Sequence, residues 1–194
     1  MTLHRKHHEP HSVATRAFKS ALLAATLTFG GIVTAQAAGD IFIKIPGIPG
    51  ESVVKNHVGE IDAIGFSSNA TIAGAPGGGG AGKVAVCGQV TFTKLIDKAS
   101  PLLLGALFRG IHIPTASLVF ERPGASTFDF YKIDLMDFIV TSVTQTDPQA
   151  SNVVTETVVL QAEKFAYTYT PQTAKGTPGT PVTFGFDCKN YKPT

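Results

Sequence analysis

The sequence predicts a mostly β protein, a β-sandwich or β-barrel with one short α-helix. Seven segments alternate apolar with polar residues, which is the pattern of a strand with one buried face. Glycine, proline and other turn residues separate these segments at the spacings typical of all-β domains. One segment near the middle of the chain instead combines helix start and stop signals with a continuous apolar stretch.

The alternation is clearest in the first predicted strand, where Ile41, Ile43 and Ile45 share one side. In the fifth strand the apolar side changes near Met136 and Asp137, which indicates a bulge or a bend. The fifth segment is long enough to form either one strand or two. The seven predicted strands cover residues 40–46, 60–70, 84–95, 113–121, 128–144, 153–170 and 181–187.

The predicted helix begins at Ser100 and ends before Gly110. Ser100 is a favoured N-cap residue, Pro101 fits the first helical position, and glycine is the usual residue just past a helix end. A surface helix normally has one apolar stripe, but this helix is apolar on nearly every face. It therefore either plugs the end of a barrel or also contacts a neighbouring subunit through Leu104 and Phe108.

Residues 1–37 have the three parts of a secretory signal peptide. A basic start is followed by residues 21–35, which carry no charge and are mainly apolar, and then by Ala35-Gln36-Ala37. The uncharged run of about 15 residues is shorter than the roughly 20 needed to span a bilayer. We expect cleavage between Ala37 and Ala38 and export to the periplasm or the extracellular space, with no stable membrane insertion. The alternatives are an uncleaved anchor and a wrongly chosen start codon.

The leader accounts for the basic balance of the whole chain, which has a formal net charge of +2. Four of the 16 Lys and Arg residues and one of the 14 Asp and Glu residues lie in residues 1–37. Residues 38–194 therefore carry 12 basic and 13 acidic residues, a net charge of −1. No basic surface for nucleic acid is expected.

The two cysteines, Cys87 and Cys188, both lie in the exported part of the chain. In an oxidising compartment two thiols are expected to form a disulfide. The alternative is two separate buried thiols.

Three candidate sites for chemistry fail on the sequence. Gly77 to Lys83 resembles a phosphate-binding loop, but Val84 stands where Ser or Thr is required and opens a strand instead of a helix. His57 and His112 are the remaining candidate general bases, and no nucleophile motif surrounds any serine. His57, Glu60 and Asp62 could bind a cation, but a solvated polar turn is the favoured interpretation. We therefore expect no catalytic residues, no cofactor and no metal.

Several segments, in order over residues 40–188, resemble the haemolysin-coregulated protein (Hcp) family, the ring-forming tube protein of type VI secretion. The resembling residues are Gly50-Glu51-Ser52, His57, Glu60-Ile61-Asp62, the glycine-rich loop of residues 77–83, Phe92-Thr93-Lys94, Ser100-Pro101, Gly110, His112, Pro114, Tyr131, Ile133, Leu135, Pro171-Gln172, Phe184-Gly185 and Asp187.

The resemblance implies a two-sheet β-barrel with one helix, and hexameric rings that stack into a hollow tube and are themselves expelled. It implies other copies, a spike protein and small effector proteins as partners, and no catalytic residues. Leu104, Phe108, Gly78, Gly79 and Gly80 are the candidate subunit contacts.

Two features depart from the family pattern. Typical members lack a signal peptide, because their tube assembles in the cytoplasm, and the Trp residues expected near Gly65-Phe66-Ser67 are absent. Two other functions therefore stay open: an exported periplasmic or extracellular binding module that builds no tube, and a secreted hydrolase that uses His57 or His112.

Overall fold

The structure is a computed structural model that describes residues 40–73, 84–122, 127–147 and 153–194, all within one compact unit, Gln36–Thr194. The leader, the cleavage site at Ala37 and Ala38, and the glycines Gly78, Gly79 and Gly80 lie outside the described residues. The elements found in these ranges are β1 (Asp40–Lys44), β2 (Ile61–Ala73), β3 (Val84–Leu95), α1 (Ser100–Arg109), β4 (Ile113–Arg122), β5 (Phe128–Thr146), β6 (Thr155–Tyr169), β7 (Val182–Asp187) and β8 (Lys192–Pro193).

Six of these strands close into a barrel in which every neighbouring pair is antiparallel. The order around the barrel is β1, β2, β3, β6, β5 and β4, and β4 returns to β1. Strands β7 and β8 extend the sheet from β6. The predicted mostly β barrel with one short helix is confirmed, and its walls are parts of one continuous sheet.

One edge of β6 is shared by two strands. Its first half, residues 155–160, pairs with β3, and residues 164–169 pair with β7. The other edge of β6 pairs with β5 along almost the whole strand. Because β3 and β7 pair with different halves of one edge of β6, the sheet both closes through β3 and continues outward through β7.

The core lies inside the barrel and follows the period of the strands. On β5 the buried residues change from Ile133 and Leu135 to Phe138 and Val140, as the sequence predicted. Asp137, between the two sets, has left-handed backbone with a φ of 50°. The register shift itself lies later, between Val140 and Ser142, so the bulge follows the predicted position.

No helix among the described residues is long and apolar enough to cross a membrane.

Candidate assembly surface

Helix α1 buries one face and leaves the opposite face in solvent. Leu103 and Ala106 belong to the core and are 0% and 1% exposed. Phe108, on the opposite side, is 82% exposed, and Leu104 lies between the two faces, half-buried. The sequence left open whether the helix plugs the barrel or contacts a neighbouring subunit. The structure shows that the inner face packs into the core, and that the outer face has exposed apolar side chains.

A shallow groove of about 190 Å³ runs beside the exposed face of α1. Leu102 and Ile111 line it from the helix side and are 39% and 40% exposed. Pro46 and Ile48, in the turn after β1, form the other wall. The groove and Phe108 together are called the assembly surface below. Sequence analysis singled out Leu104 and Phe108 but missed Leu102 and Ile111, because an all-apolar segment does not show which residues stay exposed.

A buried charge network fixes the start of α1. Lys94, 0% exposed, donates hydrogen bonds to Leu95 O at 2.9 Å, Asp97 Oδ1 at 2.6 Å and Ser100 Oγ at 2.8 Å. These three bonds use all three ammonium hydrogens. Glu156 Oε1, 3.3 Å from Lys94 Nζ, therefore receives charge attraction without a hydrogen bond. The network ties the helix to β3 and β6, so the assembly surface has a fixed position on the barrel.

The predicted N-cap at Ser100 is wrong by one residue. Ser100 is the first residue of the helix, and Ala99 occupies the N-cap position, where an alanine side chain cannot accept a hydrogen bond. Asp97 supplies the missing acceptor to the backbone N–H of Ala99 at 2.8 Å, while Ser100 Oγ accepts from the N–H of Asp97 at 3.2 Å. The buried Lys94 holds Ser100 in this role. The predicted C-terminal glycine, Gly110, is in the left-handed conformation with a φ of 59°.

Cys87 of β3 and Cys188, the residue after β7, are joined by a disulfide with their Cα atoms 5.8 Å apart. Cys87 lies in the part of β3 that does not pair with β6. At this level the edge of β6 pairs with β7, and the bond therefore links β3 to the end of β7.

The outer strand β7 carries a second set of exposed apolar side chains. Val182 and Phe184 are 69% and 57% exposed. The sequence predicts this strand but not that Val182 and Phe184 are exposed. The sequence signal for this exposed apolar surface is the set of alternate apolar residues Val182, Phe184 and Phe186, in a strand near the edge of the sheet.

His112 and Asp137 form a solvent-exposed hydrogen-bonded pair. His112 Nδ1 lies 2.6 Å from Asp137 Oδ1, and the hydrogen bond from His112 holds the pKa of Asp137 below its usual value. The groove around them is lined by Pro114, Met136, Glu163, Lys164, Lys189 and Asn190. None of these lining residues has a hydroxyl or thiol nucleophile.

His57 is not part of a solvated turn, so that interpretation of its segment is wrong for this residue. The imidazole is 5% exposed and stacks on Phe42. Glu60 contacts it, while Asp62 is exposed on β2 and belongs to no ion pair of the described residues.

The chain is a small β-barrel protein with exposed apolar side chains on its helix and a disulfide. Residues 42–170 match the family model described as "Type VI secretion system effector, Hcp". The chain is also 37% identical over 157 residues to Protein hcp1 of Pseudomonas aeruginosa, covering 78% of this chain and 96% of that protein.

Solved structures agree. One described as a type six secretion system protein superimposes with a TM-score of 0.75 and 25% identity, covering 81% of this chain and 100% of the other. Hcp1 from Salmonella typhimurium gives a TM-score of 0.68 with 30% identity, covering 81% of this chain and 99% of that one. The chain belongs to the Hcp family of type VI secretion proteins, and the resemblance read from the sequence is confirmed.

Proposed function

We propose that this chain is a non-enzymatic structural subunit that closes into homo-oligomeric rings, hexamers by family resemblance, and that the rings stack into a tube. The observation that carries the proposal is the 82% exposed Phe108 on the face of α1 opposite the core. Other copies of the chain are its principal partners. A spike protein at the end of the tube and small effector proteins inside the rings are the further partners that the family implies.

The free energy for association comes from apolar burial. Covering one Phe side chain contributes on the order of 1.5–3 kcal/mol, and the adjacent groove adds Leu102 and Ile111. Contact of this apolar surface with water is unfavourable in free energy for the monomer. Exposed apolar patches of this kind mark interfaces on other proteins. A neighbouring subunit that fits its own apolar residues against α1 removes this surface from water.

Ring closure also accounts for the exposed strand β7. Val182 and Phe184 lie at the end of β7 that does not pair with β8, so this end has an open edge within the described residues. Open edges invite uncontrolled pairing with other chains. A head-to-tail contact places one surface of each subunit against a different surface of the next, and a closed ring satisfies every such contact without forming a fibre in the plane of the ring.

The first experiment measures the size of the assembly for Phe108→Glu. Light scattering coupled to size exclusion should give a ring mass for the wild type and a monomer mass for the variant, because a charge at this position opposes burial at the interface. Ala174→Glu, in an exposed turn of the same unit, is the matched control and should keep the ring. Circular dichroism should show all three proteins folded.

A wild-type protein that stays a monomer at tens of micromolar would contradict the proposal and favour the monomeric binding module. An unfolded Phe108→Glu variant would show that the side chain supports the barrel instead of a neighbour. Hydrolysis of a test ester by the wild type that is lost in His112→Ala would favour a secreted hydrolase.

Export is the second part of the proposal. Residues 1–37 carry the signal-peptide pattern, and the family match begins only at residue 42. We infer that the rings form after export, in the periplasm or outside the cell, where the disulfide between Cys87 and Cys188 is stable.

A further inference from the structure

A hydrogen-bonded loop, residues 50–60, covers the outer face of β1. The N–H of Gly50 donates to Gly59 O at 2.9 Å, the N–H of Gly59 to Ser52 O at 2.8 Å, and the N–H of Ser52 to Glu60 O at 3.0 Å. A side chain at Gly50 would collide with the backbone of Glu60 and Ile61. The start of the loop at Gly50 therefore packs directly against its end at Glu60, and this close contact fixes the position of His57.

The loop holds the His57 imidazole in one orientation. The ring stacks on Phe42 with the centroids 4.0 Å apart and the planes within 3°. Nδ1 lies 2.8 Å from Glu60 Oε2, and since a carboxylate only accepts, Nδ1 carries the hydrogen. In a neutral imidazole Nε2 then carries no hydrogen and has a free lone pair. This atom is buried and makes no hydrogen bond within the described residues.

Acidic residues lie in front of that lone pair. Asp40, Glu121 and Asp129 occupy paired positions on β1, β4 and β5, forming a row across three strands. Like charges directly opposite one another in a sheet destabilise it. Among the described residues no lysine or arginine forms an ion pair with Glu60, Glu121 or Asp129.

The side-chain atoms of His57, Glu121 and Asp129 lie close together. His57 Nε2 is 3.5 Å from Glu121 Oε2 and 3.7 Å from Asp129 Oδ1, and all three atoms lie within 4.8 Å of one another. Ligands of a tetrahedral zinc ion at bond lengths of about 2.0–2.2 Å are about 3.3–3.6 Å apart. We propose that His57 Nε2, Glu121 and Asp129 bind one divalent transition-metal ion of the zinc class.

The surroundings of His57 are those of a metal ligand. A histidine that binds a metal through one nitrogen usually donates a hydrogen bond from the other to a carboxylate, which fixes the tautomer. Glu60 makes this bond to Nδ1. The imidazole is the ligand that favours zinc, copper or nickel over calcium or magnesium, which are bound through oxygen atoms.

A proton on Nε2 would compete with a metal ion for the same position. Charge-assisted N–H···O bonds measure about 2.7–2.9 Å. Both carboxylates are farther from Nε2 than this, at 3.5 and 3.7 Å, which is close to the separation of two ligands of one ion. The side chain of Asp129 is 50% exposed, so an ion can enter from solvent and water can complete the coordination.

Binding of the ion would join the loop over β1 to the paired ends of β4 and β5. The site lies at the end of β4, whereas α1 leads into the start of that strand. The ion would therefore bind at the opposite end of β4 from α1, and its test does not depend on ring formation.

The test is zinc binding by calorimetry with the full chain after chelator treatment. His4, His7, His8 and His11 of the leader are replaced by asparagine in every protein, so that they contribute no metal ligands. We expect one zinc per chain and a higher melting temperature with zinc than without, because a ligand of the folded state stabilises it. Asp129→Asn and Glu121→Gln should each weaken binding at least tenfold, and Glu60→Gln by about 10–100-fold.

His112→Ala is the matched control, since His112 is the other histidine beside an aspartate and is solvent-exposed. Its zinc affinity should equal that of the parent. Because Asp129 is half-exposed, Asp129→Asn should stay folded and gives a clean result even if Glu121→Gln unfolds. The proposal is overturned if the parent binds no zinc, if Asp129→Asn binds it as tightly, or if His112→Ala loses it.

Discussion

Asp187 holds the chain reversal between β7 and β8 through its carboxylate. The side-chain amide and the backbone N–H of Asn190 each donate to it at 2.9 Å, and Lys164 Nζ lies 3.3 Å away. These hydrogen bonds, the one from the Asn190 side chain foremost, together with the charge of Lys164, lower the pKa of Asp187 to about 2 although burial opposes the shift. Asp187, the neighbour of Cys188 in the chain, is thus held in place by contacts of its ionised carboxylate.

The lowered pKa predicts how the stability of the domain depends on pH. The folded state favours ionised Asp187, so its contribution is complete above the unfolded pKa of about 3.9 and is lost as the pH falls through about 2. Asp187→Asn should therefore lower the melting temperature at pH 5–7, and the difference from wild type should shrink towards pH 2. Thermal melts at several pH values measure this, with Asp62→Asn as the exposed control. A difference that stays constant down to pH 2 would contradict the assignment.

At the scale of elements, the disulfide connects β3 to the residue that follows β7, and β3 and β7 are not paired with each other. Strand β3 pairs with β2 and with half of β6, while β7 pairs with the other half of β6 and with β8. The bond spans a sequence separation of 101 residues. In the chain-entropy model a loop of this length contributes about 4–5 kcal/mol by restricting the unfolded chain.

We predict that denatured, non-reduced protein has no reactive thiol and that Cys87→Ser/Cys188→Ser lowers the free energy of unfolding by up to about 4–5 kcal/mol. Thiol titration and urea unfolding are the measurements. Wild-type protein treated with a reductant should match the double variant and provides the control. Two reactive thiols per chain in the untreated protein would refute the bond.

The strands were predictable because their signal is local. Residues 84–95 were predicted as one strand, and β3 has these bounds, since Val86, Val90 and Phe92 repeat with period two. Strand β8 was missed because two residues cannot show a period. For α1 the sequence predicted the helix but not which apolar residues stay exposed, because that depends on how the barrel surrounds it.

The charge cluster around His57 could not be found from sequence spacing. Glu60 and Asp62 are near His57 in the chain, and of these only Glu60 contacts it. Glu121 and Asp129 reach the imidazole because β4 runs beside β1 and β5 beside β4. The order of strands around a barrel is a long-range property that no local pattern encodes.

At the scale of the whole molecule, we predict that the exported protein begins at Ala38. The small residues Ala35 and Ala37 fit the signal-peptidase cleft, so replacing both with leucine should block cleavage. Intact mass of protein recovered from a Gram-negative host should show loss of residues 1–37 in the wild type and their retention in the variant. Gln36→Ser, between the two critical positions, is the control. Recovery of the wild type with Met1 in place would contradict export by this route.

Closing the barrel through β3 and β6 constrains the order in which the chain can fold. Val90 pairs with Leu160, 70 positions later, and α1, β4 and β5 are made in between. Pairings between distant segments are slow, typically milliseconds to seconds in all-β domains. If residues 1–37 direct export as proposed, β3 crosses the membrane before β6 and has one unpaired edge until β6 has followed. During that interval the edge of β3 can pair with another chain. Pairing of β3 with β6 of the same chain therefore competes with aggregation after export.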